Sequence, residues 1–192
     1  MERNPHRKDQ VLVPDLAESF EPIIGQSVTL RPLRRDDVDI EAAFVTGLSP
    51  ESRHNRLLGG MIQVTREYVE RLTTVDFARD MALAAALMLE GREVLIGVAR
   101  YVLEAKSSAG LDASGHGCEF AIVIADAWQG RGIGRRMMEK LIAIARGRGL
   151  ESIYGDVLST NRPMLDFCRK LGFKLGRNPE DPTVTRVTLE LQ

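Results

Sequence analysis

The segment from Cys118 to Leu150 constrains the fold of this chain more than any other stretch of its sequence. Its first part, Cys118 to Ala125, is almost wholly apolar and rich in Ile and Val, which predicts a strand covered on both faces of a sheet. Apolar residues later recur at helical spacing from Ile133 to about Gly147. Between these two parts lie three alternating glycines, Gly130, Gly132 and Gly134. The segment therefore reads as a buried strand, a glycine-rich turn and an amphipathic helix.

The glycine-rich turn and its helix predict an anion-binding site. A helix N-terminus carries unpaired backbone N–H groups and a partial positive charge, both of which attract phosphate. Glycines leave room for phosphate oxygens to approach the backbone. Between Gly130 and Leu150 one residue is acidic, Glu139, and six are basic: Arg131, Arg135, Arg136, Lys140, Arg146 and Arg148.

Two common phosphate loops do not fit the spacing of these glycines. A dinucleotide loop needs Gly-x-Gly-x-x-Gly, but Arg135 stands three residues after Gly132. A nucleoside-triphosphate loop ends in Gly-Lys-Ser/Thr, whereas Gly134 is followed by two arginines. The remaining pattern, Gln-Gly-x-Gly-x-Gly, is open to two interpretations: an anion-binding loop or a simple tight turn.

Length and charge limit the classes of protein to consider. A chain of 192 residues is long enough to bury a core and is expected to form one domain. The net charge of −1 argues against a nucleic-acid partner. The N-terminus lacks the apolar core of an export signal, and the longest apolar run, Met81 to Leu89, has nine residues, too few to span a bilayer. Free thiols are expected at Cys118 and Cys168, and we expect a cytoplasmic protein without a membrane partner.

The order of predicted elements is that of an α/β protein with a mixed sheet. Residues 1–22 are polar and contain prolines, so we expect an N-terminal extension, with the domain formed by residues 23–192. A Gly/Ser-rich loop is expected from Ala105 to Gly117. Strands are predicted at Val28–Leu33, Met81–Leu89, Val94–Val98, Cys118–Ala125, Ser152–Leu158 and Thr183–Leu191. Helices are predicted at Val38–Leu48, from Ser49, at Thr65–Thr74, Ile133–Gly147 and Met164–Leu171.

A second motif runs from Asn161 to Phe173 and ends in Lys-Leu-Gly-Phe. Together with the glycine-rich turn before it, this motif resembles the GNAT N-acetyltransferase superfamily. The likeness covers roughly Val28 to Leu191 and implies the GNAT fold, an α/β fold with a mixed, mostly antiparallel sheet flanked by helices. The chain is most similar to the acetyltransferase domain of bacterial protein lysine acetyltransferases, through the segments Val28–Pro32, Leu48–Arg53, Asp80–Leu83, Glu119–Ala121 and Gly155–Leu158.

The resemblance implies an N-acetyltransferase that takes acetyl-CoA as its cosubstrate and uses no metal. The acetyl group would pass to a primary amine by direct attack in a ternary complex. Asn161 would contact the coenzyme and also cap the next helix. The main chain of Ile122, Val123 and Ile124 would hold the pantetheine arm. The pyrophosphate would bind the loop of Gln129, Gly130, Arg131, Gly132, Ile133, Gly134 and Arg135.

Glu119 is the candidate general base. It is the one carboxylate in the apolar part of the central strand, and burial beside Phe120 would raise its pKa toward neutrality. The alternative is an ion pair between Glu119 and an arginine. His54 and Asp156 are weaker candidates for the base, and His54 is expected on a solvated helix face.

Cys168 stands at the position where many relatives carry a tyrosine that protonates the departing thiolate. A free thiol with a pKa near ~8.5 can donate a proton, but a buried structural thiol is the commoner case. The identity of the general acid is therefore left open.

Three functions fit these motifs. The first is acetyl transfer to a protein lysine, and the second is transfer to a small amine such as a polyamine, an amino acid or an antibiotic. The third is non-catalytic sensing of acyl-CoA, which loss of the tyrosine would permit. Because the early helices border the acceptor side in the family fold, the likeness at Leu48–Arg53 favours a protein acceptor. The sequence also leaves a homodimer open.

Overall fold

The computed structural model describes residues 16–61, 63–103, 117–178 and 180–192, in which eight strands form one sheet and five α-helices flank it. The strands are β1 (Glu18–Ile23), β2 (Gln26–Pro32), β3 (Met81–Leu89), β4 (Arg92–Leu103), β5 (Gly117–Ile124), β6 (Ser152–Leu158), β7 (Lys174–Arg177) and β8 (Val184–Glu190). The helices are α1 (Val38–Gly47), α2 (Pro50–Arg56), α3 (Arg66–Thr73), α4 (Ile133–Gly147) and α5 (Arg162–Lys170).

The sheet is mixed and mostly antiparallel, as predicted. Its strand order is β1-β2-β3-β4-β5-β6-β8-β7, and β5 with β6 is the parallel pair among the described strands. That pair is short: it runs from Gly117 opposite Ser152 to Glu119 opposite Tyr154. Both strands continue beyond this point, so they separate and open the sheet at the ends of β5 and β6.

A hydrophobic core lies on each face of the sheet, and β3 contributes to both. Its odd-numbered residues from Met81 to Leu87 face the core that α4 covers, while Ala82, Ala84 and Ala86 face the core that contains Phe44 of α1. The interpretation of Met81–Leu89 as a strand is therefore confirmed. The core-facing side chains of α4 are Ile133, Met137, Met138, Leu141, Ile142 and Ala145.

The sheet begins earlier than the sequence predicted. β1 starts at Glu18 and pairs antiparallel with β2, so the boundary expected after residue 22 falls too late. The strand was missed because it is short and mostly polar, with Phe20 packed against the core. β7 was also missed, since its four residues carry no apolar alternation of their own. Residues 1–15 of the expected extension and nearly all of the expected loop from Ala105 lie outside the described residues.

Candidate active site

A groove of about 520 Å³ opens where β5 and β6 separate. Its volume lies within the range usual for small-ligand sites, roughly 300–1,000 Å³. Residues of β5 form its floor, and the other walls come from the glycine-rich turn, α2, β6 and α5. The groove therefore joins both sequence motifs that carried the family resemblance.

The outer half of β5 packs Ile122 and Ile124 against one core and Val123 against the other, in line with the sequence prediction, but its edge toward β6 is open. Cys118 and Phe120 are buried, but the residues from Ala121 to Ile124 are half-buried and line the groove. On one side they pair with β4 as far as Ile124 opposite Gly97, whereas the partner strand on the other side has separated. Alternate backbone N–H and C=O groups of this stretch therefore face the groove. The prediction that the main chain of Ile122, Val123 and Ile124 holds the pantetheine arm requires this arrangement.

The glycine-rich turn ends in a helix N-terminus that no side chain caps. Gly130 and Gly132 have φ values of 72° and 80°, in the left-handed region that favours glycine. Gly132 is the N-cap of α4, and a Cβ placed on either glycine would meet no atom within 4 Å. The first N–H groups of α4 thus lie beside open space in the groove, where an anion can reach them.

The predicted loop residues do not all face the groove. Five of them line it: Gln129, Gly130, Gly132, Gly134 and Arg135. The Arg131 guanidinium lies 5.3 Å from the centre of the Trp128 ring, and Ile133 is buried in the core. Ile133 can therefore contribute its main chain to an anion site but not its side chain.

Most of the basic residues between Gly130 and Leu150 have partners within the protein. Arg136 and Lys140 bind the Glu18 carboxylate at 3.1 and 2.7 Å, and the hydrogen bond from Lys140 lowers the pKa of Glu18. Arg148 donates to the carbonyl oxygens of Phe77, Arg79 and Asp80. These cations hold β1 and the start of β3, so the count of basic residues overstated the charge available to a ligand.

Glu119 lies on β5 at the last residue that pairs with β6, and its exposed side chain lines the groove. The predicted burial of Glu119 beside Phe120 is wrong, because neighbouring side chains of a strand point to opposite faces. The Phe120 ring packs instead against Phe173 and close to Gly155. Glu119 makes no ion pair with an arginine in the described part of the chain, although its charge acts to raise the pKa of Arg56 and Arg186 at longer range.

The two weaker candidates for the base occupy different surroundings. Asp156 lines the groove, but Arg186 binds both of its carboxylate oxygens, at 3.0 and 2.8 Å, and Asn178 donates to one of them at 3.0 Å. His54 is exposed on α2 and does not line the groove. Of the three candidates for the base, Glu119 is therefore the one that lines the groove without an ion pair in the described part of the chain.

Asn161 caps α5 and borders the groove. Its Oδ1 accepts a hydrogen bond of 3.2 Å from the backbone N–H of Met164, which is the capping role considered for it. Asn161 lines the groove together with Pro163, Met164 and Phe167. Its contact with the coenzyme remains a prediction.

A cluster of hydrogen bonds that the sequence did not indicate joins α2 to the end of β5. The Asp126 carboxylate accepts from Ser49 N and Oγ at 2.9 and 2.7 Å and from Ser52 Oγ at 2.7 Å. Gln129 Nε2 donates to Ser52 Oγ at 3.2 Å and to the Ile124 carbonyl at 3.0 Å. Desolvation alone would raise the pKa of Asp126, but the hydrogen bonds from Ser49 and Ser52 outweigh it and lower that pKa. Because the partners are about 75 residues apart in sequence, only the helix start at Ser49-Pro50 was visible beforehand.

Cys168 lies on α5, is buried in the core and does not line the groove. Burial raises the pKa of its thiol to about 12, which makes the thiolate inaccessible at neutral pH. This placement is that of a structural thiol rather than a proton donor to a groove ligand.

We expect Cys168→Ala to change turnover and coenzyme affinity by less than about twofold, while lowering the free energy of unfolding by about 1 kcal/mol, a typical cost for a point mutation. Steady-state kinetics, calorimetry and urea denaturation measure these three quantities. Cys118→Ala, which removes a second buried thiol at the start of β5, is the matched control. A hundredfold loss of turnover at unchanged affinity, seen for Cys168→Ala alone, would identify the thiol as a general acid.

Glu41 on α1 is a buried carboxylate behind the groove, with 2% of its surface exposed. Desolvation raises its pKa from 4.5 to about 6, against the lowering influence of Arg100 and Arg56 and with a further raising contribution from Asp37. Because the folded-state pKa lies above the unfolded one, the protonated form stabilises the fold below pH 4.5. That stability is lost as pH rises through about 6.

Glu41→Gln is therefore expected to raise the free energy of unfolding at pH 8 by up to roughly 2 kcal/mol, with the gain vanishing at pH 4. Urea denaturation at both pH values measures the difference. Glu21→Gln on β1 removes an exposed carboxylate and should leave stability nearly unchanged at either pH. A Glu41→Gln protein that is no more stable than the parent at pH 8 would contradict the conclusion that desolvation raises the pKa of Glu41.

Comparisons with known proteins place this chain in one family. A model described as the acetyltransferase (GNAT) family matches residues 60–173. The chain is 34% identical over 159 residues to acetyltransferase PA5475 of Pseudomonas aeruginosa, covering 83% of this chain and 81% of that protein. The GNAT domain of S. lividans PAT is 26% identical with a TM-score of 0.76, covering 91% of this chain and 96% of that one.

A structure of the PaiA N-acetyltransferase from Thermoplasma acidophilum in complex with coenzyme A has a TM-score of 0.63 at 14% identity, covering 85% of this chain and 98% of that one. That likeness concerns the fold alone. The family match and the PA5475 relative go further: this chain belongs to the acetyltransferase (GNAT) family. The fold predicted from the two sequence motifs is thereby confirmed.

In the described ranges of the chain, every helix is too short or too polar to cross a bilayer. In the same ranges, no three His, Cys, Asp or Glu side chains are grouped so that they could hold a metal ion.

Proposed function

We propose that this protein is an acetyl-CoA-dependent N-acetyltransferase that moves the acetyl group to a primary amine by direct attack in a ternary complex. One observation carries the proposal. A single groove contains an uncapped helix N-terminus at one place and an exposed carboxylate without an ion pair, Glu119, at another. The first suits the anionic end of a coenzyme, and the second suits the amine that must lose a proton.

The fit of the coenzyme to this groove follows from the backbone. The pyrophosphate binds the N–H groups that begin α4, where Gly130 and Gly132 leave the approach open. The pantetheine arm lies along the unpaired edge of Ile122 to Ile124. A backbone N–H near Ile124 faces the thioester oxygen and stabilises the charge that develops on it. The presence of coenzyme A in the PaiA complex supports this use of the fold.

Glu119 supplies the proton chemistry. A protonated amine cannot attack a carbonyl, so Glu119 accepts its proton directly or through one water. The departing thiolate is protonated by solvent in the open groove, since the Cys168 thiol is buried elsewhere.

The acceptor we favour is the ε-amino group of a protein lysine. Support comes from the likeness of the chain to the GNAT domain of S. lividans PAT and from the sequence likeness of Leu48–Arg53 and Gly155–Leu158 to protein lysine acetyltransferases. Glu51 and Leu58 line the groove and are exposed, so a peptide segment can reach its α2 wall. A small amine is the alternative acceptor.

An acceptor screen tests the proposal. Purified protein and acetyl-CoA are incubated with lysine peptides, purified proteins and small amines, and free thiol release is followed, with Glu119→Gln as the control. We expect release above that control with at least one amine, and acetyl-lysine on a limited set of proteins by mass spectrometry. Binding of acetyl-CoA without turnover of any acceptor would instead identify an acyl-CoA sensor. Rapid acetylation of small amines alone would reject the protein acceptor.

A further inference from the structure

A second, smaller cavity of about 40 Å³ lies behind the wall that α2 contributes to the groove. It is enclosed by α1, α2, α3 and the adjoining faces of β4 and β5, and Arg56 lines both this cavity and the groove. We call it the arginine cavity after three of its lining residues, Arg53, Arg56 and Arg100. Its volume has room for a water or for a group the size of a carboxylate, but not for a whole side chain.

The charges that line the arginine cavity are not balanced. Glu41 is the one acidic lining residue against three arginines. Glu41 Oε2 and Arg100 Nε are both buried and have no hydrogen-bond partner in the described part of the chain. Desolvation lowers the pKa of both Arg56 and Arg100. Glu41 is electrostatically coupled to both of these arginines, so the cavity holds one carboxylate against three guanidinium groups and has an excess of positive charge, whereas buried charges are ordinarily paired.

Another arginine of the same protein shows what a purely structural buried guanidinium looks like here. Arg31 is 2% exposed and binds Asp37 through two nitrogens, at 2.6 and 2.9 Å. It also binds both carboxylate oxygens of Glu93, at 3.1 and 3.0 Å. Arg56 and Arg100 have no such carboxylate at ion-pair distance among the described residues. Arg31 is thus held in an internal salt bridge, whereas Arg56 and Arg100 form none in the described part of the chain.

The position of Arg56 connects this cavity to the proposed chemistry. Arg56 is close enough to both Glu119 and Glu41 to feel their charges. A molecule in the groove with its amine at Glu119 can therefore present an anionic group to Arg56 and, behind it, to Arg100. Apolar side chains of Phe44, Val45 and Leu57 line the rest of the cavity.

We propose that the arginine cavity is a subsite for a carboxylate carried by the amine acceptor. The inference rests on the proposed function and narrows it, because the acceptor must then hold a primary amine and a carboxylate in one molecule or segment. The carboxylate has two possible sources, the free carboxyl group of an amino-acid-like molecule and an acidic side chain beside the acceptor lysine.

Calorimetry with coenzyme A present tests the subsite without requiring turnover. One pair of probes is Nα-acetyl-lysine and its carboxamide, and the other is a pair of lysine peptides in which the neighbouring residue is Glu or Gln. In the parent protein, we expect at least one carboxylate probe to bind at least ten times more tightly than its neutral partner. Arg100→Gln and Arg56→Gln should each abolish the preference. Arg71→Gln on α3, which removes an exposed arginine outside the cavity, should preserve it.

The outcomes separate this inference from the proposed function. A preference in the first probe pair assigns the carboxylate to a free amino-acid-like molecule, and one confined to the second pair assigns it to a protein segment. Equal affinities within both pairs in the parent protein would overturn the subsite, as would a preference that survives both arginine substitutions in folded variants. A carboxylate preference without acetylation of any acceptor would uphold the subsite and contradict the acetyl transfer.

Discussion

Glu119→Gln is expected to lower turnover by roughly 10²–10⁴-fold while leaving the affinity for coenzyme A nearly unchanged. The amide has the same shape as the carboxylate but cannot take a proton from the attacking amine. Because Glu119 is exposed and makes no ion pair in the described part of the chain, the substitution should not disturb folding. Steady-state kinetics and calorimetry on the same preparation measure the two quantities.

Glu51→Gln is the matched control for that substitution. Glu51 is an exposed carboxylate that lines the same groove from the start of α2. We expect this variant to retain turnover within about threefold, since surface substitutions of this kind are usually small in effect. A Glu119→Gln protein with full activity at neutral pH would show that Glu119 is not the base and would transfer that role to water or Asp156.

Gly132→Glu is expected to weaken coenzyme A binding at least a hundredfold, which corresponds to about 2.7 kcal/mol. The new carboxylate would lie at the N-cap of α4, in the open space where the pyrophosphate is proposed to bind. Repulsion between the two anions and the loss of that space act in the same direction. Calorimetry on the folded variant measures the affinity.

Two variants separate charge at the loop from backbone strain. Gly132 has a φ of 80°, so any L-residue there costs about 1–2 kcal/mol of folding stability. Gly149→Glu places the same residue at a φ of 74° beyond the opposite end of α4, also with no atom within 4 Å, and should bind normally. Gly132→Ala carries the strain without the charge and should lose less affinity than Gly132→Glu. Normal binding by Gly132→Glu would refute the placement of the pyrophosphate.

The sequence predicted the elements whose signals are local. The apolar run of β5, the glycine pattern before α4 and the Asn161 cap of α5 each lie within one short segment, and each is found where it was expected. The edge strands β1 and β7 gave no such signal. Their polar residues show no periodicity of their own, and each strand is held by pairing with a neighbouring strand.

Features that depend on tertiary structure could not be predicted from the sequence. β5 separates from β6 just beyond Glu119 and so opens the groove, and no residue of β5 alone reveals this separation. The sequence predicted that the basic residues of α4 are available to an anion. In the structure, Glu18, which is more than 100 residues away in the chain, binds two of them. The arginine cavity likewise brings Arg56 and Arg100 together from separate elements.

A crystal structure of the protein with bound coenzyme A tests the central claim most directly. We expect density for the pyrophosphate at the N–H groups that begin α4, density for the pantetheine arm along Ile122 to Ile124, and the thiol end directed toward Glu119. Coenzyme A bound outside this groove, or a groove that stays empty at saturating coenzyme A, would contradict the account.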